Sequence, residues 1–115
     1  MESYMNRISN TGIVPAVKIL EKEDAYPLAK ALLNGGIDVI EVTYRSEHAT
    51  SAIQTISEQL PDMLVGAGTV LSVEQAKEAV EAGAKFIITP GFNTRVVQWC
   101  LDHDVEVYPG VSTAS

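Results

Sequence analysis

Residues 29–43 have the sequence AKALLNGGIDVIEVT, in which a helical segment, a pair of glycines and an apolar strand follow one another. Gly35 and Gly36 are expected to end the helix, because glycine adopts the left-handed backbone that many helix C-termini require. The strand at residues 39–43 is almost continuously apolar, which is typical of a parallel sheet buried on both faces. This stretch therefore predicts one helix–strand unit of an α/β protein.

Apolar segments of the same kind recur along the chain. We predict strands at residues 14–19, 39–43, 64–70, 86–89 and 105–108. Helical spacing between them predicts four buried stripes, formed by Leu28, Ala31 and Leu32; Ala49, Ile53, Ile56 and Leu60; Val73, Ala76 and Val80; and Val97, Cys100 and Leu101. Asp24 is a predicted helix N-cap, and the residues from Ser72 to Gln75 form a predicted capping box. The alternation predicts five parallel βα units.

An internal repeat refines this prediction. The sequence of residues 29–37 returns in similar form at residues 76–84, AKEAVEAGA, two βα units further along. Such a repeat is typical of a barrel with alternating layers, although an open doubly wound sheet produces it as well. Five strands are too few to close a barrel, and Ser112 and Thr113 are helix-capping residues with no helix after them. We therefore expect residues 1–115 to be one partial domain, the first part of a larger α/β unit.

The composition excludes several kinds of partner. The net charge is −7, whereas nucleic acids and anionic membranes attract clustered basic residues. No apolar run approaches the roughly 20 residues of a membrane span, and the N-terminal segment, MESYMNRISNTG, is too polar for a signal peptide. The single cysteine, Cys100, forms no internal disulfide and fits a small core residue. We expect a cytoplasmic protein that binds neither nucleic acid nor membrane.

Glu41 is the most informative polar residue, because it lies inside an apolar strand. A buried carboxylate is costly unless it is paired, hydrogen-bonded or used. Glu41 lies near the carboxyl end of its strand, where parallel barrels have their active sites. Desolvation there would raise its pKa toward the range that a general acid–base needs. The alternative is a structural carboxylate satisfied by Arg45 or by backbone amides; we favour the catalytic interpretation.

Other strand ends carry candidate binding residues. Arg45 has a guanidinium suited to a carboxylate or phosphate, with a surface ion pair to Glu47 as an equally good alternative. Thr69 follows the glycines of residues 66–68, which either approach a ligand or only allow close packing. Lys18 is a candidate anion contact or buried amine, although a solvated edge charge is more common. No His, Cys and Asp residues have metal-ligand spacing, so we expect no metal. The glycine pattern is weak for a nucleotide, and we expect no cofactor.

Four of these segments together resemble one enzyme family. They are GGIDVIEVTYR at residues 35–45, VGAGTV at 65–70, AGAKFIITPG at 82–91 and PGVST at 109–113. In this order and spacing they resemble the 2-keto-3-deoxy-6-phosphogluconate / 4-hydroxy-2-oxoglutarate aldolases, from about Gly12 to the last residue. The resemblance implies that the five units are the first part of a (β/α)8 TIM barrel. It also implies a generally trimeric enzyme that cleaves 2-keto acids to pyruvate and an aldehyde through a lysine Schiff base, without a metal.

The resemblance also implies roles for individual residues. Glu41 matches the general acid–base of the family, and Arg45 matches the ligand of the pyruvate carboxylate. Thr69 and Pro90 match positions that line the pyruvate pocket. Lys18 falls where some members have an arginine, which implies a substrate contact.

Part of the family pattern would lie beyond Ser115. The Schiff-base lysine of the family is on the sixth strand, and its phosphate-binding loops follow the seventh and eighth strands. Two further hypotheses therefore stand beside an aldolase represented by its N-terminal part. One is a non-catalytic half-barrel that associates with itself or binds small keto acids; the other is an aldolase whose nucleophile is Lys18.

Overall fold

The computed structural model of the chain describes residues 14–91 and 93–109. These residues form one five-stranded sheet with the strand order β1-β2-β3-β4-β5, and every neighbouring pair is parallel. The strands are β1 Ala16–Val17, β2 Val39–Thr43, β3 Leu64–Gly68, β4 Phe86–Thr89 and β5 Glu106–Pro109. A 3-10 helix, Lys22–Asp24, precedes α1 Ala25–Asn34, and the further helices are α2 Ala49–Gln59, α3 Val73–Ala82 and α4 Thr94–Asp102. The predictions for the N-terminal segment and for Ser112 and Thr113 lie outside the described residues.

The sheet has two different faces. On the outer face, strand residues such as Ile40, Val65 and Ile87 share one apolar core with helix residues such as Ile53 and Val96. The inner face carries a smaller apolar cluster. Among the described residues, its members come from strands and from a segment beside a strand, and none comes from a helix: Val14, Val39, Leu64, Phe86, Ile88 and Tyr108. All four helices therefore cover the outer face.

This arrangement decides between the two architectures that the repeat permits. A doubly wound sheet has helices on both faces, and its strand order reverses at a switch point. Here the order is sequential and the described helices lie on one side. That is the winding of a (β/α)8 barrel, so the structure confirms the prediction of its first five βα units and excludes the doubly wound alternative.

The strand predictions are accurate in the middle of the sheet. The strands β2 and β4 have the predicted bounds, whereas β1 is reduced to two residues and β5 begins one residue later than predicted. The strand β3 ends at Gly68 instead of Val70. The reason is the backbone of Thr69, whose φ of 54° is incompatible with an extended strand.

Two of the predicted helix stripes need correction. Helix α1 buries Ala25 and Ala29, whereas Leu28 and Ala31 of the predicted stripe are exposed, because the face with the two small residues is the one that packs on the core. Helix α4 buries Val96 and Cys100, and Leu101 lies in solvent. The predicted stripe of α2 is confirmed in full, since all of its members are buried.

The predicted helix ends are confirmed in most cases. The hydroxyl of Ser72 accepts the backbone N–H of Gln75 at 3.2 Å, and Gly36 and Gly83 have φ angles of 92° and 120°. Asp24 occupies the predicted N-cap position of α1, but its side chain makes no capping hydrogen bond, because the chain enters α1 directly from the 3-10 helix. Among the described helices, none is long and apolar enough to cross a membrane.

Candidate active site

The predicted site residues meet at one edge of the sheet. Parallel strands end on the same side, and Lys18, Thr69 and Pro90 directly follow β1, β3 and β4. Arg45 lies in the loop between β2 and α2, at the same edge. In a barrel this carboxyl edge is where active sites form. The fold thus brings together residues that are widely separated in the sequence.

Glu41 reaches this edge from the middle of its strand. It lies on the inner face of β2 and is only 3% exposed. The register places it beside Gly66, yet its carboxyl group lies over Gly68, two residues closer to the edge. A Cβ atom at Gly68 would be 1.6 Å from Oε2 of Glu41. The carboxyl group is therefore held at the level where β3 ends.

The glycines of the GAG segment have a packing role. Gly68 leaves room for Glu41, and a Cβ at Gly66 would be 2.3 Å from the ring of Phe86. Both glycines lie on the inner face, beneath a large side chain from a neighbouring strand. Of the two interpretations of this segment, the structure supports close packing, and the group packed against Gly68 is the candidate acid–base.

Thr69 has an unusual backbone conformation. It is a β-branched residue with a φ of 54°, and such a conformation costs about 1–3 kcal/mol. The side chain is half-buried, and its hydroxyl makes no hydrogen bond with any described residue. By contrast, Thr43 donates to the carbonyl of Val17 at 3.2 Å, and Thr89 donates to that of Val70 at 2.8 Å. Of these three threonines at strand ends, Thr69 alone has its hydroxyl available for a ligand.

Arg45 is exposed and is not engaged by the carboxylates that the sequence suggested as its partners. Among the described residues it forms no ion pair with Glu41 or Glu47. The carboxylate of Glu47 lies instead beside the His48 ring, with 3.6 Å between Nε2 and Oε2. Within the described part of the chain the guanidinium has no carboxylate partner, so it can bind an anion at the carboxyl edge.

The loop that carries Arg45 is fixed on both sides. The hydroxyl of Ser46 donates to the carbonyl of Ile19, which follows β1. The Tyr44 hydroxyl is 2.8 Å from that of Thr50 in α2. Burial raises the pKa of Tyr44 above its usual value, while the bond to Thr50 opposes this change. Arg45 therefore projects from a loop with two defined anchors.

The family follows from these features together with the sequence. The sequence model of the family described as "KDPG and KHG aldolase" matches residues 4–115. The chain belongs to this aldolase family.

The comparison with curated relatives shows what fraction of their length the chain covers. It is 46% identical over 115 residues to a 2-dehydro-3-deoxy-phosphogluconate aldolase of Treponema pallidum, covering 100% of this chain and 55% of that protein. It is 43% identical over 109 residues to the KHG/KDPG aldolase of Escherichia coli K12, covering 94% of this chain and 51% of the relative. The chain thus spans about half the length of these curated relatives.

A solved structure of the family has the same fold. The KDPG aldolase of Legionella pneumophila superimposes with a TM-score of 0.81 and 41% identity, covering 86% of this chain and 48% of that one. That crystal holds pyruvate as a covalent carbinolamine intermediate. The comparison confirms that the five-stranded sheet has the fold of about half of that aldolase.

Lys18 lies in a more open environment than the other aldolase candidates. It is exposed and lines an open pocket of about 480 Å³ with Ile19, Leu20, Asp24, Pro27 and Leu28. The idea of a buried amine at this position is therefore wrong, because solvent reaches the ammonium group. A solvated charge or a contact to an anionic substrate group remains.

Sequence reasoning missed one polar pair on the inner face. The hydroxyl of Tyr108 donates to the carboxylate of Glu106, both on β5, and the Tyr108 ring meets Phe86 edge-to-face with 6.2 Å between centroids. Burial, followed by the hydrogen bond and negative charge of Glu106, raises the pKa of Tyr108 well above its usual value. The alternation of polar Glu106 and Tyr108 with apolar Val105 and Val107 was the available signal.

The remaining candidates do not suggest a different chemistry. Cys100 is fully buried, and burial raises the pKa of its thiol to about 11, which fits the predicted core residue. Within residues 14–91 and 93–109, no three His, Cys, Asp or Glu side chains are grouped as metal ligands.

Proposed function

We propose that the complete protein is a class I aldolase that cleaves 2-keto-3-deoxy-6-phosphogluconate or 4-hydroxy-2-oxoglutarate to pyruvate and an aldehyde. The observation that carries this proposal is the buried carboxyl group of Glu41 over Gly68, at the carboxyl edge of the sheet. The names of the relatives supply the substrate class, since they are KDPG and KHG/KDPG aldolases.

The chemistry requires an amine nucleophile and a proton carrier. A lysine amine attacks the keto carbon to form a carbinolamine, which loses water to give an iminium. The iminium accepts the electron pair of the carbon–carbon bond when that bond breaks. This lysine is proposed to lie outside residues 1–115, on the sixth strand of the barrel, as the resemblance implies.

Glu41 is proposed as the proton carrier. In its acid form it protonates the hydroxyl that leaves the carbinolamine as water. In its carboxylate form it removes the proton from the substrate hydroxyl whose carbon becomes the aldehyde. A carboxyl group held in one position and largely shielded from water suits both steps. Gly68 supports this role, because a residue without a side chain leaves space for the carboxyl group of Glu41.

The neighbouring residues are proposed to hold the pyruvate part of the substrate. Arg45 binds the carboxylate through two parallel N–H···O bonds. The free hydroxyl of Thr69 is a hydrogen-bond partner for the same end of the substrate, and Pro90 forms part of the pocket wall. Lys18, one strand away from Glu41, is proposed to contact a second anionic group of the substrate.

We further propose how residues 1–115 belong to the whole protein and where that protein acts. Residues 1–115 form the N-terminal part of a single barrel domain, which three more βα units would complete. The whole protein is proposed to be a cytoplasmic homotrimer of carbohydrate metabolism with a small keto acid as its partner and with neither nucleic acid nor membrane. Support comes from the family and from the net charge of −7.

Borohydride trapping with pyruvate tests the proposal. We expect an adduct on the complete protein at a lysine outside residues 1–115, and no adduct on the 12.4 kDa chain alone. Peptide mapping locates the modified residue. An adduct on Lys18 would assign the nucleophile to this chain instead, and failure to trap any adduct on the complete protein would reject Schiff-base chemistry.

A variant tests the assigned acid–base. In the complete protein, Glu41→Gln should lower kcat by about 10²- to 10⁴-fold, the usual contribution of general acid–base catalysis. The matched control is Glu47→Gln, because Glu47 is an exposed glutamate of the same edge whose carboxylate lies 3.6 Å from the His48 ring. Equal activities of the two variants would remove Glu41 from the mechanism.

A further inference from the structure

We propose that Thr89 is a positioning residue that fixes the substrate-binding conformation of Thr69. This inference rests on the proposed function, because it gives the Thr69 hydroxyl a contact with the keto acid. Thr89 is the fourth residue of β4 and is completely buried. Its hydroxyl donates to the carbonyl of Val70 at 2.8 Å, across 19 residues of sequence.

The segment after Thr69 is held at four backbone groups. The Val70 carbonyl accepts the bond from Thr89, and the Val70 N–H donates to the carbonyl of Ile88 at 3.2 Å. The Leu71 N–H donates to Oε1 of Gln75 at 2.8 Å, and the Leu71 carbonyl accepts from Nδ2 of Asn93 at 3.1 Å.

The position of Thr69 explains why these restraints matter. On one side it is joined to β3, and on the other it is joined to the fixed segment of Val70 and Leu71. Its φ of 54° is unfavourable for a β-branched residue, so an unrestrained backbone would return to a negative φ and turn the hydroxyl away. Strain of this kind persists only where the surrounding structure over-determines it.

Among the side-chain restraints, the one from Thr89 is the strongest. The bonds from Gln75 and Asn93 are exposed, so water competes with them. The bond from Thr89 is buried, and loss of a buried donor leaves the Val70 carbonyl without its partner where water does not reach. Thr89 is not among the residues proposed to contact the substrate, and its hydroxyl reaches Thr69 through the Val70 carbonyl.

Two substitutions separate this role from general stability. Thr89→Ser retains the hydroxyl and loses a methyl group, whereas Thr89→Val retains the shape and loses the hydroxyl. The matched control is Thr43→Val, which removes the corresponding bond from Thr43 to Val17 and affects the junction of β1 and β2 instead. Urea unfolding of each variant verifies that it is folded.

The test uses the 115-residue chain, isotopically labelled for NMR. The φ-dependent N–H to Hα coupling of Thr69 reports its backbone, and a titration with sodium pyruvate reports binding. We expect Thr89→Val to change the Thr69 coupling and to weaken pyruvate binding about five- to tenfold, as expected for one lost hydrogen bond. Thr89→Ser and Thr43→Val should keep both close to wild type.

The two readouts distinguish the possible failures. If Thr89→Val leaves the Thr69 coupling and the pyruvate affinity unchanged, the positioning role is wrong. If Thr89→Ser changes the coupling as much as Thr89→Val does, the methyl group rather than the hydroxyl fixes Thr69, and the proposal is also wrong. In a third outcome, Thr89→Val changes the Thr69 coupling as expected, but pyruvate causes no response at Thr69 in the wild-type chain or in the complete protein. Thr89 then positions Thr69, and the proposed substrate contact of Thr69 is wrong.

Discussion

The carboxyl group of Glu41 occupies the space that a side chain at Gly68 would need. The two residues belong to adjacent strands, and the shortest distance from Oε2 to an ideal Cβ at Gly68 is 1.6 Å. They are not register partners, since Glu41 pairs with Gly66. The glutamate therefore extends along the sheet toward the carboxyl edge, and a glycine on the next strand permits it. Glu41 and Gly68 therefore form one structural unit, in which the glycine leaves the space that the proposed catalytic carboxyl group occupies.

The first prediction concerns this unit. Gly68→Ala should lower the free energy of unfolding by about 1–3 kcal/mol, because the new methyl group overpacks a filled site. In the complete protein it should also lower kcat, since Glu41 must move from its place. Urea unfolding and steady-state kinetics measure the two effects.

The control for Gly68→Ala is a glycine that has room. A Cβ at Gly35 would meet nothing closer than 3.6 Å, so Gly35→Ala should change stability by less than about 0.5 kcal/mol. The combination of Gly68→Ala with Glu41→Ala should cost less than the sum of the single changes, because the truncated side chain frees the space. Additive costs would contradict a contact between the two groups.

The second prediction concerns the strain at Thr69. Thr69→Gly removes a side chain from a positive φ, so the free energy of unfolding should stay equal or rise by up to about 1 kcal/mol. The same change should raise the KM for the keto acid, because the free hydroxyl is lost. Urea unfolding of the chain and kinetics of the complete protein test both parts. A fall in stability together with an unchanged KM would show that Thr69 is a packing residue.

Much of the fold is predictable because local and global signals agree. Residues 39–43 are apolar, lie between glycine and a polar loop, and form β2 with the predicted bounds. Helix α2 likewise has one continuous apolar stripe that is buried throughout. Leu28 was mispredicted because size and hydrophobicity favour burial, whereas the position of α1 at the end of the helical layer leaves that side of the helix uncovered.

For the candidate site, the sequence predicts which residues belong to it but not how their side chains are arranged. Glu41 is conspicuous in the sequence because an acid interrupts an apolar strand. Its packing over Gly68 depends on the register of β2 and β3, which no local pattern specifies. The free hydroxyl of Thr69 could not be separated from those of Thr43 and Thr89 either, since only tertiary hydrogen bonds distinguish the three.

The third prediction concerns Tyr108. Its pKa is raised by burial and by Glu106, so its hydroxyl should remain protonated at a pH where an ordinary tyrosine has lost its proton. The ultraviolet titration of Tyr108→Phe should therefore lack the latest-ionising tyrosine of the wild type. Glu106→Gln should shift that ionisation to lower pH, because it removes the negative charge beside the phenol. If Tyr108→Phe instead loses a tyrosine that ionises near pH 10, the pair does not persist in solution.

The last prediction concerns the pH dependence of stability through Cys100. Burial raises the pKa of its thiol from 9.0 to about 11 in the folded chain, so below pH 9 the thiol is protonated in both states and has no effect. Between pH 9 and pH 11 the unfolded chain releases the proton while the folded chain retains it. The free energy of unfolding must therefore fall as the pH rises through this interval. Urea unfolding at several pH values should show that the free energy of unfolding falls less steeply for Cys100→Ala than for the wild type. In a second experiment at pH 8, a thiol reagent should modify the folded wild type only as fast as the chain unfolds locally around Cys100. Parallel pH profiles, or rapid modification of the folded chain, would show that the Cys100 side chain is reached by solvent.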